Sequence, residues 1–155
     1  MLKKILLVLF VALVVAQFFR PEKNDGDLAS LTAFVKDAHP PKSIQNTLET
    51  SCYDCHSNTT NYPWYDNITP VNYWLNGHIN HGKKHLNFSN WSSYSPKQKA
   101  HKLDELVEEI KEGHMPLGAY LWMHKEAKLT QKQIEDIEAW VKLVKVKYFV
   151  QRLPI

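Results

Sequence analysis

The two cysteines of this 155-residue chain stand in one short motif, Cys52-x-x-Cys55-His56, and no other cysteine occurs in it. C-x-x-C-H is the attachment pattern of a covalently bound c-type haem. Each thiol adds to one vinyl group of the porphyrin, and the neutral imidazole of the histidine is the proximal iron ligand. C-x-x-C alone also suits thiol–disulfide exchange or half of a zinc site. The histidine and an export-type N-terminus favour one covalent haem c.

The first 20 residues have the pattern of an export signal. Two lysines near the start precede 12 consecutive apolar residues, 5–16, as in a signal sequence. A small residue, Ala16, suits cleavage by signal peptidase, whereas Phe18 and Phe19 extend the apolar stretch and favour an uncleaved anchor. A helix over residues 2–19 would be about 27 Å long. We expect residues 1–20 to be a signal-anchor that holds the protein on the periplasmic side of the inner membrane; the alternative is a cleaved signal peptide and a periplasmic protein.

The remainder of the chain divides into a tether and one domain. The tether is predicted over 21–42, with a turn cluster at 24–27 and a stiff proline pair at 40–41, and a short apolar stretch at 31–35 is a weak candidate for packing on the domain. The domain is predicted over 43–150. The net charge of +3 comes without the dense basic stripe that nucleic-acid binding needs, so no nucleic-acid partner is expected.

Helix signals dominate the predicted domain. Ser43 is placed to cap one helix, and Thr69 followed by proline begins another that runs to about residue 80. Ser95 and Thr130 each open a capping box before an apolar stripe of helical period, and Gly113 ends the third helix. No segment alternates as a strand does. The fold class is therefore predicted as all-α, a cytochrome c-like helical domain around one haem. The eight aromatic residues between 62 and 94 are expected to supply its core and part of the haem pocket.

Met115 is the leading candidate for the second axial ligand of the iron. It follows the helix that Gly113 ends, and Pro116 restricts it to extended backbone. A thioether ligand favours ferrous iron, so ligation by His56 and Met115 would raise the reduction potential and suit electron transfer. The other possibilities are an open distal position or a second histidine, from the group His78, His81, His85, His101, His114 and His124.

Several segments, in order, resemble the bacterial haem-binding domain family, from about residue 44 to 141. They are residues 52–58, 62–65, 70–74, 82–91, 114–116, 120 and 124–130. Members of that family are regarded as small c-type cytochrome-like domains, often exported. The resemblance implies thioether bonds at Cys52 and Cys55 and an axial ligand at His56, and Met115 is similar to the distal ligand of cytochromes c. Where an acidic residue is expected before Gly82, this chain has histidines.

The function expected from these features is single-electron transfer to and from a redox partner protein. No paired carboxylates, nucleophile triad or glycine-rich phosphate loop stands in a convincing setting, so no enzymatic activity is expected. The alternatives are a haem peroxidase or ligand sensor with an open distal site, in which His114 or His78 would be the acid–base residue, and a haem-free thiol–disulfide protein.

Overall fold

The computed structural model describes residues 1–150 and is built from helices. The α-helices of this part of the chain are α1 (Leu2–Ala16), α2 (Thr32–Ala38), α3 (Lys42–Ser51), α4 (Tyr53–His56), α5 (Val71–His85), α6 (Pro96–Lys111), α7 (Gly118–Leu121) and α8 (Gln131–Val150). Short 3₁₀ helices cover Leu28–Leu31, Trp64–Asn67, Phe88–Ser93 and Lys125–Ala127. Within the described residues the β-type pairing is one antiparallel bridge between Asp25 and Thr59. The all-α prediction is confirmed.

The pair α6 and α8 supplies one wall of the core, and both helices begin as the sequence predicts. The Ser95 hydroxyl accepts from the Gln98 backbone N–H while the Gln98 side chain accepts from Ser95 N–H, a reciprocal capping box. Thr130 and Gln133 make the same exchange before α8. Gly113, with a φ of +74°, follows the end of α6 in the left-handed region that favours glycine. Buried apolar residues on the facing stripes are Ala100, Leu103, Leu106, Ile110, Ile137, Trp140, Val141 and Val144.

The prediction of a tether over 21–42 is wrong for residues 28–38, which fold into the core. Leu31, Phe34 and Ala38 are all buried, and the Phe34 ring centroid lies 4.7 Å from that of Phe88 and 5.0 Å from that of Trp91. These apolar positions are spaced by three and four residues, so they lie on one face of a helix. That period was the signal in the sequence that a packed helix, rather than a tether, occupies this segment.

Residues 17–26, named the strap from here on, are also bonded to the domain. The Gln17 side-chain amide donates to the Thr69 carbonyl at 3.1 Å and accepts from Thr69 N–H at 2.9 Å. Further along, the Asn24 amide group donates to the Ser57 carbonyl at 2.9 Å. Gly26 N–H donates to the Asn58 carbonyl at 2.7 Å, and a Cβ on Gly26 would lie 2.4 Å from that oxygen. The strap is therefore part of the folded body.

Helix α1 ends at Ala16 instead of reaching Phe19, and its apolar side chains are exposed. Among the described residues, no helix combines the length and the apolar character needed to cross a lipid bilayer. The start of α5 also differs slightly from the prediction, because Pro70 is the N-cap residue and not the first helical residue, and the helix continues to His85.

Candidate functional site

The C-x-x-C-H motif folds into a single tight turn. Helix α3 ends at Ser51, and Cys52 leaves helical geometry with φ −130° before α4 begins. The Cys52 carbonyl accepts from Cys55 N–H at 3.2 Å and from His56 N–H at 2.9 Å. Both thiols and the imidazole are thus carried by one five-residue unit, in which their positions are fixed relative to one another.

A glycine on α5 lets that helix pass directly against the motif. A Cβ on Gly82 would lie 2.7 Å from the Cys55 carbonyl oxygen and 3.3 Å from the Cys55 Cβ. Real Cβ atoms do not approach a backbone oxygen so closely, so only glycine fits here without a shift of one of the two helices. The close packing brings the α5 side chains to the edge of the motif.

His56 is oriented by a backbone carbonyl just beyond the end of α5. Its Nδ1 lies 2.9 Å from the Leu86 carbonyl oxygen, and because that oxygen only accepts, Nδ1 carries the proton. The other ring nitrogen, Nε2, is then the one with a free lone pair. Burial lowers the pKa of His56, which favours the neutral imidazole. This is the arrangement of a metal-ligating histidine whose second nitrogen is held by a carbonyl.

The two thiols are free and part-buried. Burial, with a smaller contribution from the neighbouring thiol, raises the pKa of Cys52 to about 12, and burial with the Asp54 charge raises that of Cys55 to about 11. Cysteines that perform thiol–disulfide exchange have a lowered pKa, because the thiolate is the nucleophile. The environment therefore disfavours the redox C-x-x-C alternative.

Met115 is presented by the end of α6. The carbonyl of Glu109 accepts from both His114 N–H at 2.9 Å and Met115 N–H at 3.1 Å, which turns the chain back over the helix terminus. The Met115 side chain is part-buried and packs against the core cluster. Met123, in contrast, is 55% exposed. Of the two methionines, Met115 is therefore the one that the fold partly encloses.

These groups line one cleft made of two adjoining cavities. A cavity of about 630 Å³ is lined by all four predicted ligand residues: Cys52, Cys55, His56 and Met115. A second cavity of about 380 Å³ has Cys52, His56 and Met115 in its wall as well. Tyr73 and Trp74 line the first and Phe88 lines the second, so part of the predicted aromatic group forms the walls. Volumes of this order are typical of cofactor sites.

A third cavity, of about 680 Å³, lies between α2, α3 and α8 and contains none of the predicted ligands. Its walls include Ala38, Ile44 and Trp140. The volumes of the cavities therefore do not distinguish the candidate site, and the chemistry of the lining residues identifies it.

The other histidines divide into two groups. His78 and His81 line the first cavity, and His81 and His85, whose ring centroids are 4.6 Å apart, line the second. His114 and His124 line neither of these two cavities; His114 lies 3.3 Å from a Glu112 oxygen on the surface. Within the described residues, no three or more histidine, cysteine or acidic side chains are arranged to hold a metal ion. Of the histidine alternatives for the second ligand, His81 has the best placement.

Sequence reasoning gave no role to Tyr120, which also lines the first cavity. Its hydroxyl donates to the Asp54 carboxylate at 2.8 Å, inside the C-x-x-C-H motif. The two residues are 66 positions apart, and no periodic pattern connects them. The sole hint in the sequence was that Tyr120 belongs to one of the segments that carry the family resemblance.

The residues at the cleft fit a haem. Two free thiols, an imidazole with one unused nitrogen and a thioether are a donor set suited to covalent attachment and two axial bonds. The close approach that Gly82 permits holds the motif against α5 at the cleft. The predominantly apolar walls suit a porphyrin face.

Comparison with known proteins agrees with this chemistry. The sequence model of a haem-binding domain matches residues 11–143. This span covers most of the chain, including the strap and α2, and the protein belongs to the haem-binding domain family. No curated protein and no solved structure gives a significant match, and the cytochrome c-like topology stays a prediction.

Proposed function

We propose that the protein is a monohaem c-type cytochrome domain that carries single electrons. Cys52 and Cys55 would bond the porphyrin covalently, and His56 and Met115 would be the axial ligands. The observation that carries the proposal is that these four side chains, from two distant parts of the sequence, line one cleft. Bound haem supplies an iron that changes by one electron between its ferrous and ferric states.

The residues around the iron would keep the structural reorganisation on electron transfer small. The Leu86 carbonyl holds the His56 ring, and the Glu109 carbonyl holds the Met115 backbone, so a backbone hydrogen bond positions each ligand residue. With haem bound, the predominantly apolar walls would keep water from the porphyrin faces. Little then has to reorganise when the charge at the centre changes, which favours electron transfer over ligand chemistry.

The competing function, a peroxidase or ligand sensor, needs an open distal position with an acid–base residue beside it. His114, one candidate for that role, lies at the surface among glutamates. His78 and His81 do line the first cavity, and His81 is the residue on which a bis-histidine or open-site alternative would rest. Met115 and His81 both line the two cavities, and either of them as sixth ligand would close the iron and favour electron transfer over ligand chemistry.

Attachment is tested first. Protein produced with haem-maturation machinery should keep its haem through acid extraction, and its pyridine spectrum should show both vinyl groups saturated. Cys52→Ala with Cys55→Ala should release the haem completely. A colourless wild-type protein after proper maturation would refute covalent haem binding.

Ligation is tested with a matched pair of methionine variants. Met115→Ala should abolish the sulfur-to-iron charge-transfer band, open the iron to cyanide and lower the potential. Met123→Ala should do none of these, because Met123 is exposed and lies outside both cavities. If His81→Ala changed the spectrum and Met115→Ala did not, the ligation would be bis-histidine.

We also propose that the protein works in the export compartment, with a redox partner protein and with α1 embedded in a membrane. After Lys3 and Lys4, α1 is apolar on all sides and its side chains are exposed; this supports the proposal, because such a surface is normally covered. Carbonate-washed membranes should retain the protein with its N-terminus intact. Recovery of a soluble form that begins at Gln17 would show cleavage instead.

A further inference from the structure

The hydrogen bond between Tyr120 and Asp54 joins the two parts of the chain that carry the proposed axial ligands. Asp54 lies between the two haem-attachment cysteines and two residues before His56. Tyr120 is in α7, five residues after Met115. The phenol donates to one Asp54 oxygen at 2.8 Å.

Each member of this pair is itself held in place. The second oxygen of the Asp54 carboxylate accepts from Asn61 N–H at 2.9 Å. The Tyr120 ring stacks on His124, with ring centroids 4.2 Å apart and an interplanar angle of 9°. His124 Nε2 is in turn 2.9 Å from the Tyr65 hydroxyl. The bond therefore joins two segments that are each positioned by a further contact.

The state of the phenol favours the bond. Burial, together with the adjacent Asp54 charge, raises the pKa of Tyr120 above its ordinary value. The hydroxyl stays protonated and donates. A hydrogen bond from a neutral donor to a carboxylate is shorter and stronger than one between neutral groups.

We propose that the Tyr120–Asp54 hydrogen bond is a latch that holds the loop carrying Met115 against the haem-attachment turn. Tyr120 is thus a positioning residue for the second axial ligand. The Glu109 carbonyl fixes the loop on the α6 side of Met115, and the latch fixes it on the α7 side. The proposal rests on the function proposed above.

The consequence is that the latch sets how often Met115 leaves the iron. With the bond in place, the thioether would return to the iron faster than an external ligand enters. Without it, the stack on His124 alone would hold Tyr120, the open form would be populated more, and ligand exchange and the potential would both respond. A purely structural role for Tyr120 would change the unfolding midpoint and leave these two properties alone.

The test compares Tyr120→Phe with Tyr148→Phe in the intact holoprotein. The Tyr148 hydroxyl donates to the Asp37 carboxylate at 2.8 Å and Tyr148 lines neither cavity of the cleft, so its loss is a matched control for one phenol–carboxylate hydrogen bond. Tyr120→Phe should raise the rate of cyanide binding to the ferric protein about tenfold, the factor expected for one charge-assisted hydrogen bond. The charge-transfer band should also disappear at a lower temperature, and the potential should fall. Tyr148→Phe should match the wild type in these three properties.

Asp54→Asn supplies the second variant. Its side chain has one acceptor oxygen for two donors, the Tyr120 hydroxyl and Asn61 N–H, so the latch is weakened and faster cyanide binding is expected. The double variant should be no worse than Tyr120→Phe alone, since both changes act through one bond. If Tyr120→Phe fails to fold, Asp54→Asn decides: cyanide binding at the Tyr148→Phe rate would overturn the latch.

If Tyr120→Phe folds and binds cyanide at the Tyr148→Phe rate with an unchanged potential, the latch is also overturned. That outcome leaves the proposed function intact whenever Met115→Ala still removes the charge-transfer band. If Met115→Ala leaves the wild-type spectrum unchanged, the methionine ligation itself has failed, and the latch fails with it.

Discussion

Two regions of this molecule gather polar groups against the apolar core, and they use them in opposite ways. Around Asp37, on α2, four side chains donate hydrogen bonds to one carboxylate. Its oxygens accept from Trp91 Nε1 at 2.9 Å, the Tyr148 hydroxyl at 2.8 Å, Lys99 Nζ at 2.9 Å and Lys147 Nζ at 2.6 Å. This Asp37 cluster ties α2, α6, α8 and the 88–93 helix together.

In the cleft, several polar groups still have an atom that can bind a ligand. His56 Nδ1 is hydrogen-bonded to the Leu86 carbonyl and Nε2 has a free lone pair, and both thiols are free. Each region borders a cavity of more than 600 Å³, so space is not what distinguishes them. A polar cluster that satisfies itself stabilises a fold, whereas one whose members keep unused lone pairs and reactive thiols is a ligand site.

The largest effect on stability should come from breaking the Asp37 cluster. Asp37→Asn removes the charge that two lysines and two further donors share, and it should lower the free energy of unfolding by about 3 kcal/mol. Urea unfolding followed by circular dichroism measures this. The haem spectrum of the folded variant should be that of the wild type, because the cluster lies outside the cleft.

The control is Asp136→Asn, since Asp136 pairs with Lys132 in an exposed i,i+4 arrangement. Its free energy of unfolding should change by less than about 0.5 kcal/mol. An equal loss in the two variants would show that the Asp37 cluster has no special role.

The Asp37 carboxylate should also make the free energy of unfolding fall at acid pH. Burial alone would raise the pKa of Asp37, but the hydrogen bonds from Lys147, Lys99, Tyr148 and Trp91 outweigh it and hold the pKa well below its usual range. The stabilisation is present above the unfolded-state pKa of about 4 and is lost as the pH falls toward the folded-state value. The stability difference between wild type and Asp37→Asn, from urea midpoints at pH 7, 5 and 3, should therefore shrink at pH 3. A constant difference would contradict the assignment.

A smaller but more local effect is expected at the cleft. Gly82→Ala places a Cβ 2.7 Å from the Cys55 carbonyl, so α4 and α5 must separate, at a cost of about 2 kcal/mol. The haem yield and the His56 environment should change with it. Gly118→Ala, where a Cβ meets no neighbour within 4 Å, should change neither. A normal spectrum and stability for Gly82→Ala would mean that the close approach is not required.

The smallest effect on stability is expected at Tyr53, inside the C-x-x-C-H motif, where a buried polar group is not hydrogen-bonded. Its hydroxyl is buried and has no hydrogen-bond partner among the described residues. Tyr53→Phe should therefore leave the unfolding free energy unchanged or raise it by up to about 1 kcal/mol. Tyr94→Phe, which removes an acceptor for Asn87 N–H, should lower it by about 1 kcal/mol. Destabilisation of Tyr53→Phe by more than this control would reveal an undetected partner for the phenol.

Local signals carried most of the successful predictions. The capping boxes at Ser95 and Thr130, the stop at Gly113 and the apolar stripe of α6 depend on neighbouring residues and were readable from the chain. The predicted tether shows the limit of that reading. Its apolar residues Leu31, Phe34 and Ala38 have helical spacing, yet α2 has only seven residues and is too short to be stable without the core on which it packs. The spacing alone therefore does not outweigh the turn and proline signals on either side.

The sequence by itself determined the chemistry of this protein: two thiols, an imidazole and a thioether, each in a motif whose meaning depends on a few adjacent residues. Only the tertiary structure decided how these groups are supported. Asp37 meets Lys147 across 110 residues, Tyr120 meets Asp54 across 66, and Gln17 meets Thr69 across 52. Contacts over such separations follow from how helices pack, which no local pattern encodes, because each side chain's partner is set by the whole arrangement of the core.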